Sequence, residues 1–535
     1  MLTLPEKWAG WLSRITLLAC LALFAGKALT SLVQESATWD ETHYFGLGKY
    51  LLQSGRWDVR GSILHPPLAF YVSALPLFLS ESDPALWQPD PGHAKDRTYR
   101  GTADVGRGQA LLSGQANLGD RLLTQSRSMM VLLALLLGVF VFRWAKLLYG
   151  HYSAAAAAIL FAFSPNLLAH ARLITPDIVV TTFSLIAMYL FWRMLKLDSR
   201  KHAVAAGVGL GLALLSKFTA LLLLPAMLAL ACLWGLCRKR TPLASYAMVL
   251  LVAFAVLLLG YQFQIEPYVA GILYQRDHAL SGQSAFCLGQ YSENGWWYYL
   301  PLAFVLKTPI ALAAMLAAAL LLYLRRTPAP GQDVDRLDEF FLLLPAATVV
   351  AFFTIEHQSV GLRYILPAYP FLFVFASRLL RASHLGRRWA VPVALAWYVG
   401  ASTWIHPHYL AYFNELAGGP DRGYRYLVDS NLDWGQDLKG LARFMRERGI
   451  AKVGLSYFGS DSPERYGIAY DWLPSMILHN PAPGHSPITP SRYLAISATN
   501  LQGVYFPNHA LFASLQARTP LTKIGYSIFV YDLGR

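Results

Sequence analysis

Charge is what this sequence has least of. Aspartate, glutamate, lysine and arginine make up 14% of its 535 residues, where a soluble globular chain carries about 25%. With 55% hydrophobic residues and a mean hydropathy of +0.37, this scarcity excludes a disordered chain and a soluble basic nucleic-acid binder. Cysteine is also sparse: four residues are too few for a disulfide framework. Cys20, Cys232 and Cys237 fall in apolar runs, where a thiol acts as a small hydrophobe, and Cys287 sits in a polar loop. There is no internal repeat, which weighs against an inverted-repeat transporter. Acids are the scarcer sign, 31 against 45 Lys+Arg, for a formal net charge of +14.

What the chain has in abundance is long apolar runs, the signature of a polytopic α-helical membrane protein, since a span needs about 20 mostly apolar residues. Qualifying or nearly qualifying runs lie at about 11–33, 126–148, 152–170, 173–195, 203–218, 218–237, 243–263, 298–324, 338–356, 361–380 and 388–406. The expectation is therefore about 11 transmembrane helices. The pair 203–218 and 218–237 is nearly continuous and hinged near Lys217. The first run follows Lys7 and Arg14 but is too long for a signal-peptide core and lacks a small-residue cleavage site, so it reads as a retained span. Ile63–Leu79, shorter and carrying Pro66, Pro67 and Pro76, reads as an interfacial segment.

Charge orients this topology. With the N-terminus cytoplasmic, the inner connections carry Arg143/Lys146, Arg193/Lys196/Arg200/Lys201, Arg238-Lys239-Arg240, Arg325-Arg326 and Arg378/Arg381/Arg387/Arg388. All are basic, as the positive-inside bias requires. The net positive charge is thus mostly topological, and nucleic acid is not an expected partner. The outer side receives the 34–125 loop, the 264–297 loop and the tail. Residues 1–406 form a membrane module that includes the 34–125 loop. Residues 407–535, rich in Pro, Gly, Asp, Asn and Ser, read as an extracytoplasmic α/β domain. Its expected elements are helices over 433–448 and 505–517, and strands over Lys452–Phe458, Arg492–Ser497 and Ile524–Tyr531.

Several outer-face residues have the types that chemistry needs. Asp40 and Glu41 stand side by side just beyond the first span. Adjacent acids raise each other's pKa; such a pair is either a solvated loop pair or a base that takes a proton from an acceptor hydroxyl. Arg172 and Asp177, in His170-Ala171-Arg172-Leu173-Ile174-Thr175-Pro176-Asp177, lie on the same face, although Pro followed by an acid is also ordinary helix-start chemistry. Lys217 and Arg363 sit at span ends, where snorkelling explains them, whereas Lys307, about ten residues into its run, is costly there unless paired. His357 and Tyr364 flank Arg363, and His65 precedes the rigid Pro66-Pro67 pair. Outer-face acids and several cations on one leaflet suit transfer from a phosphate-linked lipid: cations neutralise the leaving phosphate and an acid activates the nucleophile. The Asp429…Asp433…Asp437 run allows a metal, but a capping box at Asp433 with Gln436 explains it better, so no metal or other cofactor is expected.

These residues also resemble a family. The chain looks like a GT-C glycosyltransferase of the phospholipid-carrier-dependent, protein-mannosyltransferase-like group, which includes the aminoarabinose transferases of lipid A. The resemblance rests on Asp40-Glu41, His65-Pro66-Pro67-Leu68, Arg172-Leu173-Ile174-Thr175-Pro176-Asp177 and Leu215-Ser216-Lys217. It continues in Leu306-Lys307-Thr308-Pro309, Arg363-Tyr364-Ile365-Leu366-Pro367-Ala368, Asp429-Ser430-Asn431-Leu432-Asp433-Trp434-Gly435-Gln436-Asp437 and Ile524-Gly525-Tyr526-Ser527. The resemblance implies a polyprenyl-phosphate sugar donor, inversion at the anomeric carbon, Asp40 as base, Glu41 shaping the site and Asp177 as a second acid. It implies Lys217 and Arg363 on the carrier phosphate, with Lys307, Arg172, His357, His65 and Tyr364 as further donor contacts. No large extra sugar-binding domain interrupts the chain, which favours a bacterial inner-membrane enzyme and weighs against a protein acceptor. The acceptor, whether lipid, glycan or protein, is not specified by these motifs. The rival from another class is a transporter or flippase for a lipid or lipid-linked sugar, which would spread ionisable residues through the full membrane depth.

Overall fold

The computed structural model describes residues 5–80, 105–114, 118–239, 242–325, 335–357, 359–380, 389–475 and 491–534. Arg240, Arg326, Arg381, Arg387 and Arg388 of the basic connections lie outside these residues, as do residues 81–104 and 115–117 of the 34–125 loop.

Among the described residues, six helices are long and apolar enough to span a bilayer: Glu6–Leu32, Leu118–Tyr149, Pro176–Leu197, Phe218–Arg238, Leu243–Gly260 and Arg336–Ile355. A seventh arises if Tyr299–Lys307 and Ile310–Leu324, bent by 112° at Thr308-Pro309, count as one span. The chain is a multi-pass membrane protein, and six or seven of its described helices meet the length of a span, against the 11 expected. The runs at 152–170, 203–218, 361–380 and 388–406 do not form single long helices. The first is interrupted at Ser164-Pro165, giving His151–Ala162 and Pro165–His170. The second ends at Leu214, with Lys217 extended before the next helix. The third opens as a 3-10 turn, Leu362–Ala368, before Tyr369–Ser377. The fourth is helical over Ala390–Trp404, only 15 residues. Hydropathy registers apolar length but not these backbone breaks.

Apolar side chains cover the outside of the bundle as well as its core. Leu18, Leu132, Leu251, Phe254, Leu259, Leu321 and Trp404 are exposed, an arrangement that suits hydrocarbon and not water. Inside, close helix approach rests on small residues. A Cβ on Gly207 or Gly211 would fall 2.6 Å from the Cβ of Val252 or Val256, so these glycines let Arg200–Leu214 lie against Leu243–Gly260.

Charges gather at the two ends of the bundle. At one end Lys196 meets Asp338 at 2.7 Å, with the Trp192 indole donating to the same carboxylate at 2.8 Å. Nearby Arg378 pairs with Glu339 at 3.0 Å, Tyr149 donates to Glu339 at 2.8 Å, and Arg238 pairs with Asp335. The other end of Pro176–Leu197 carries Asp177. Its 22 residues separate the two clusters by about 33 Å at 1.5 Å per residue, a bilayer's hydrocarbon thickness.

The tail holds a five-stranded sheet with order β4-β3-β5-β7-β6: β3 is Val453–Ser456, β4 Tyr470–Trp472, β5 Tyr493–Ser497, β6 Thr522–Ile524 and β7 Ile528–Asp532. β3 runs parallel to β4 and β5, while β7 runs antiparallel to β5 and β6. A separate hairpin pairs β1 (Ala285–Cys287) with β2 (Gln290–Ser292). The helix expected over 433–448 begins only at Leu438 and runs to Glu447. Asp433 is not its cap, because its carboxylate accepts the Thr499 amide at 2.8 Å. The helix expected over 505–517 is reduced to Ala513–Gln516.

The tail is laced onto the loop after the first helix. The Ser36 amide donates to the Gln436 carbonyl at 2.9 Å, the Trp39 amide to the Trp434 carbonyl at 2.8 Å, and the Ala37 amide to Asp461 at 3.0 Å. Thr42 and Ser460 bond through their hydroxyls. This lacing holds the loop that carries Asp40. A cysteine at Ser199, beside the Lys196 end, and one at Trp297, an exposed residue before helix Tyr299–Lys307, should react with an impermeant maleimide from opposite membrane faces. Labelling of both from one face in intact cells would contradict the two-ended arrangement.

Candidate active site

Arg363 and Asp40 face one another, Nη1 to Oδ2 at 2.7 Å, with side chains 11% and 15% exposed. Behind them Lys217 donates to Asp177 at 2.7 Å, and Asp177 also lies 3.9 Å from Arg363. The four charges form a chain on the end of the bundle opposite Asp338. Local structure explains how each arrives. Lys217 is extended (φ −157°, ψ 143°) between two helices, so its side chain turns inward. Asp177 follows Pro176 at a helix start, where proline's missing amide is not needed. Arg363 follows Gly361, where a Cβ would fall 2.3 Å from the Ser430 hydroxyl; the bare glycine admits the tail segment, and the Leu362 amide then donates to Asn431 at 3.0 Å.

A cavity of about 210 Å³ opens in front of this chain, lined by Asp40, His65, Arg363, Tyr364, Asp429 and Trp434 among others. The Arg363 guanidinium stacks 4.2 Å from the Trp434 ring centre, and Lys217 lies 4.7 Å from that of Tyr364. His65 packs edge-on to Tyr44, and among the described residues its Nδ1 has no hydrogen-bond partner. Burial, reinforced by Lys217, pushes its imidazole down to about 3, so it is neutral at physiological pH. Thus four expected residues (Asp40, His65, Arg363 and Tyr364) share one cavity, with Asp177 and Lys217 directly behind.

The others stand elsewhere. Glu41 is fully buried and turned away from the cavity. Arg127 grips it with two hydrogen bonds of 2.8 and 2.6 Å, and it also accepts from the amides of Thr38 (2.9 Å) and Ile174 (3.0 Å). Burial alone would raise its pKa, but Arg127 outweighs burial and holds it below the usual value. Arg172 is fully buried and paired with Glu35. Lys307 is caged by protein: its ammonium donates to the carbonyls of Leu410 (2.9 Å), Tyr412 (3.0 Å) and Asn431. That cage explains how so deep a lysine is tolerated. His357 lines a smaller cavity with Glu356, His278 and Glu293, next to the main one.

The sequence reading did not single out Arg127, Trp39, Trp434, Phe458 or Tyr505, and it took Asp429 only as a member of an acidic run. Arg127 at the start of an apolar run is the same signal that flagged Lys217. Asp429, Trp434 and Trp39 lie inside or beside motifs already quoted, whereas Phe458 and Tyr505 carry no local signal. The tail acids do not present a charged face: burial raises Asp433 to about 8 and Asp437 to about 7, and raises Asp429 as well. Among the described residues no three His, Cys, Asp or Glu side chains converge as a metal would require.

Two predictions follow the pairings. Arg127→Met strands a buried carboxylate and should cost about 3–5 kcal/mol, whereas adding Glu41→Gln should restore part of the lost melting temperature in detergent. Lys307→Met leaves three carbonyls unpaired at about 1–3 kcal/mol each. It should lower the melting temperature yet leave carrier-phosphate affinity intact; loss of that affinity in a folded variant would return Lys307 to the phosphate ligands.

Comparison with known proteins places this site in a family context. Residues 108–259 match the model of the dolichyl-phosphate-mannose-protein mannosyltransferase family. That segment contains Arg127, Arg172, Asp177 and Lys217 but neither Asp40 nor Arg363. No curated protein matches the sequence. In fold, the chain is similar to ArnT from Cupriavidus metallidurans bound to undecaprenyl phosphate, at 13% identity and a TM-score of 0.50, covering 97% of each chain. The apo form of the same protein gives 0.48 over 98% of each chain. The oligosaccharyltransferase of Archaeoglobus fulgidus gives 0.43 at 13% identity, over 73% of this chain and 54% of that one. The matched family is one of glycosyltransferases, so the expected enzyme class is borne out on that footing. The group read from the motifs, the phospholipid-carrier-dependent GT-C glycosyltransferases, is matched by sequence over residues 108–259 and by fold over nearly the whole chain.

Proposed function

We propose that the protein transfers a sugar from a polyprenyl-phosphate carrier to an acceptor hydroxyl at the outer face of a bacterial inner membrane. The observation that carries this reading is the Asp40–Arg363 pair at the mouth of a cavity, backed by Lys217–Asp177. The binding of undecaprenyl phosphate by the similarly folded ArnT supports a lipid-phosphate donor. The carrier phosphate takes Arg363 and Lys217 as counter-charges, with neutral His65 and Tyr364 beside it. Asp40 accepts the acceptor's hydroxyl proton, and the oxygen attacks the anomeric carbon from the face opposite the phosphate. As the new C–O bond forms, the bond to the phosphate oxygen breaks with its electron pair, so configuration inverts and polyprenyl phosphate departs. Asp177 keeps Lys217 in place, and Glu41, gripped by Arg127, fixes the short helix that carries Asp40. The acceptor is a hydroxyl of a lipid, glycan or protein.

Orientation follows the positive-inside bias: the Lys196, Arg238 and Arg378 end is cytoplasmic, as is the N-terminus, and the site and tail are extracytoplasmic. A flippase suits the charges less well, because the described ion pairs gather at the two bundle ends and do not line a path through the membrane. The test is transfer by purified protein in nanodiscs, read as release of polyprenyl phosphate. Asp40→Asn should lower turnover by about 10²–10⁴, the range for a general base, while still binding the carrier; Lys217→Met should lose carrier affinity. Full transfer activity in Asp40→Asn would sink the mechanism.

A further inference from the structure

Part of the cavity lining is aromatic and is supplied by residues other than the charged ones. Trp39, adjacent to Asp40 in sequence, stacks on Phe458 at 5.3 Å between ring centres and 16° between planes. Phe458 stacks in turn on Tyr505 at 5.6 Å and 6°. All three rings line the cavity, together with Asp429. They come from three distant stretches of chain: the first loop, the segment after β3, and the segment after β5. A stack of three rings bordering a polar cavity is an apolar surface against which a sugar ring's C–H groups can pack, leaving its hydroxyls free to bond sideways.

Asp429 supplies the sideways partner. It holds a left-handed backbone conformation (φ 55°), a strained geometry that persists where surrounding structure enforces it. The residue is 9% exposed, and its carboxylate accepts from the Tyr505 hydroxyl and the Ser430 amide (2.5 Å). Among the described residues it has no ion-pair partner. A buried carboxylate bonded only by neutral donors retains acceptor capacity for further hydroxyls. The charges also limit what can sit there. Asp40 and Asp177 match Lys217 and Arg363 in number, and the carrier phosphate tips the balance negative. A sugar bearing its own carboxylate would be repelled.

We infer that Trp39, Phe458, Tyr505 and Asp429 form the recognition cup for the donor's sugar, and that the cup takes a ring without an acidic group. This inference rests on the carrier-phosphate reading of Lys217 and Arg363. In that arrangement the phosphate lies on the cation side, the anomeric carbon lies near Asp40, and the ring extends onto the aromatic wall. The tail then takes part in donor selection, because Asp429, Phe458 and Tyr505 all belong to it.

The test compares binding of bare undecaprenyl phosphate with that of undecaprenyl phosphate carrying mannose, glucose, galactose, N-acetylglucosamine or glucuronate, using protein in nanodiscs. The wild type should bind at least one of the neutral sugar carriers about tenfold tighter than the bare carrier, as one or two added hydrogen bonds allow. The glucuronate carrier should gain nothing. Phe458→Leu and Asp429→Asn should each remove most of the gain while changing affinity for the bare carrier less than about twofold. Should Asp429→Asn not fold, Tyr505→Phe carries the same expectation. A wild type that binds bare and sugar-bearing carriers equally, or variants that keep the full gain, would overturn the cup. Lys217→Met separates the two levels: if it binds the bare carrier as the wild type does, the carrier-phosphate reading fails and the cup falls with it. If it loses the bare carrier while the cup variants keep the sugar gain, the cup alone is wrong.

Discussion

Everything at the candidate site depends on Arg127 disposing of one of two adjacent acids. Asp40 and Glu41 as free neighbours would each oppose the other's ionisation. The structure resolves this by direction: successive residues of the short helix Trp39–Tyr44 point to different sides. Glu41 turns inward, where Arg127 and the amides of Thr38 and Ile174 satisfy its oxygens. Asp40 is thereby left facing the cavity. The same pair ties the first loop to helix Leu118–Tyr149 and to the chain just ahead of Asp177, so one buried ion pair aligns the two stretches that contribute acids. A buried pair of this kind adds little net stability; what it supplies is a fixed geometry.

A second constraint acts on the scale of the bilayer. Ionisable groups are costly in hydrocarbon, and the described ones sort to the ends of the helices: Asp338 and Glu339 with their basic partners at one end, Asp177, Lys217 and Arg363 at the other. Lys307 follows the same logic with carbonyls as partners. Its three acceptors come from 410–412 and from Asn431, so it joins the bundle to the tail. The tail is accordingly not a detachable appendage. It pairs with the first loop through Ser36 and Trp39 and lends Trp434 as a platform for Arg363.

How much of this was legible follows from the range of each signal. The apolar runs were legible because membrane burial is written in local composition, and Phe218–Arg238 and Leu243–Gly260 fall where the runs lie. Several of the other runs do not form single long helices, because hydropathy is blind to backbone breaks such as Ser164-Pro165 and the turn that opens at Leu362. Asp40, Asp177, Lys217 and Arg363 could be proposed together since each is an ionisable residue at a span end, a local anomaly. Their convergence could not, nor could the different fates of Arg172 and Lys307, which depend on Glu35 and on carbonyls more than 100 residues away. Phe458 and Tyr505 are ordinary aromatics in sequence, and only the sheet brings them to the cavity. The Asp433…Gln436 spacing fits a helix start but lost to tertiary structure, because β5's continuation supplies the Thr499 amide to Asp433.

The resting geometry also bears on the order of events in the proposed reaction. Asp40 is held by the guanidinium that would serve the donor phosphate, at 2.7 Å. A carboxylate held this way has one oxygen committed to its partner. An incoming phosphate competes for Arg363 with greater charge, so donor binding would loosen Asp40 as it fills the cation side of the cavity. Lys217 is under a similar arrangement with Asp177, although there the acid is buried behind the site and remains a partner when phosphate arrives. In the proposed reaction the two pairs would play unlike parts: Lys217–Asp177 a fixed anchor, and Arg363–Asp40 an exchangeable contact that keeps Asp40 occupied until a donor is present. Such coupling suits an enzyme whose donor must not be spent on water, since the base becomes available only as the donor's sugar fills the space beside it.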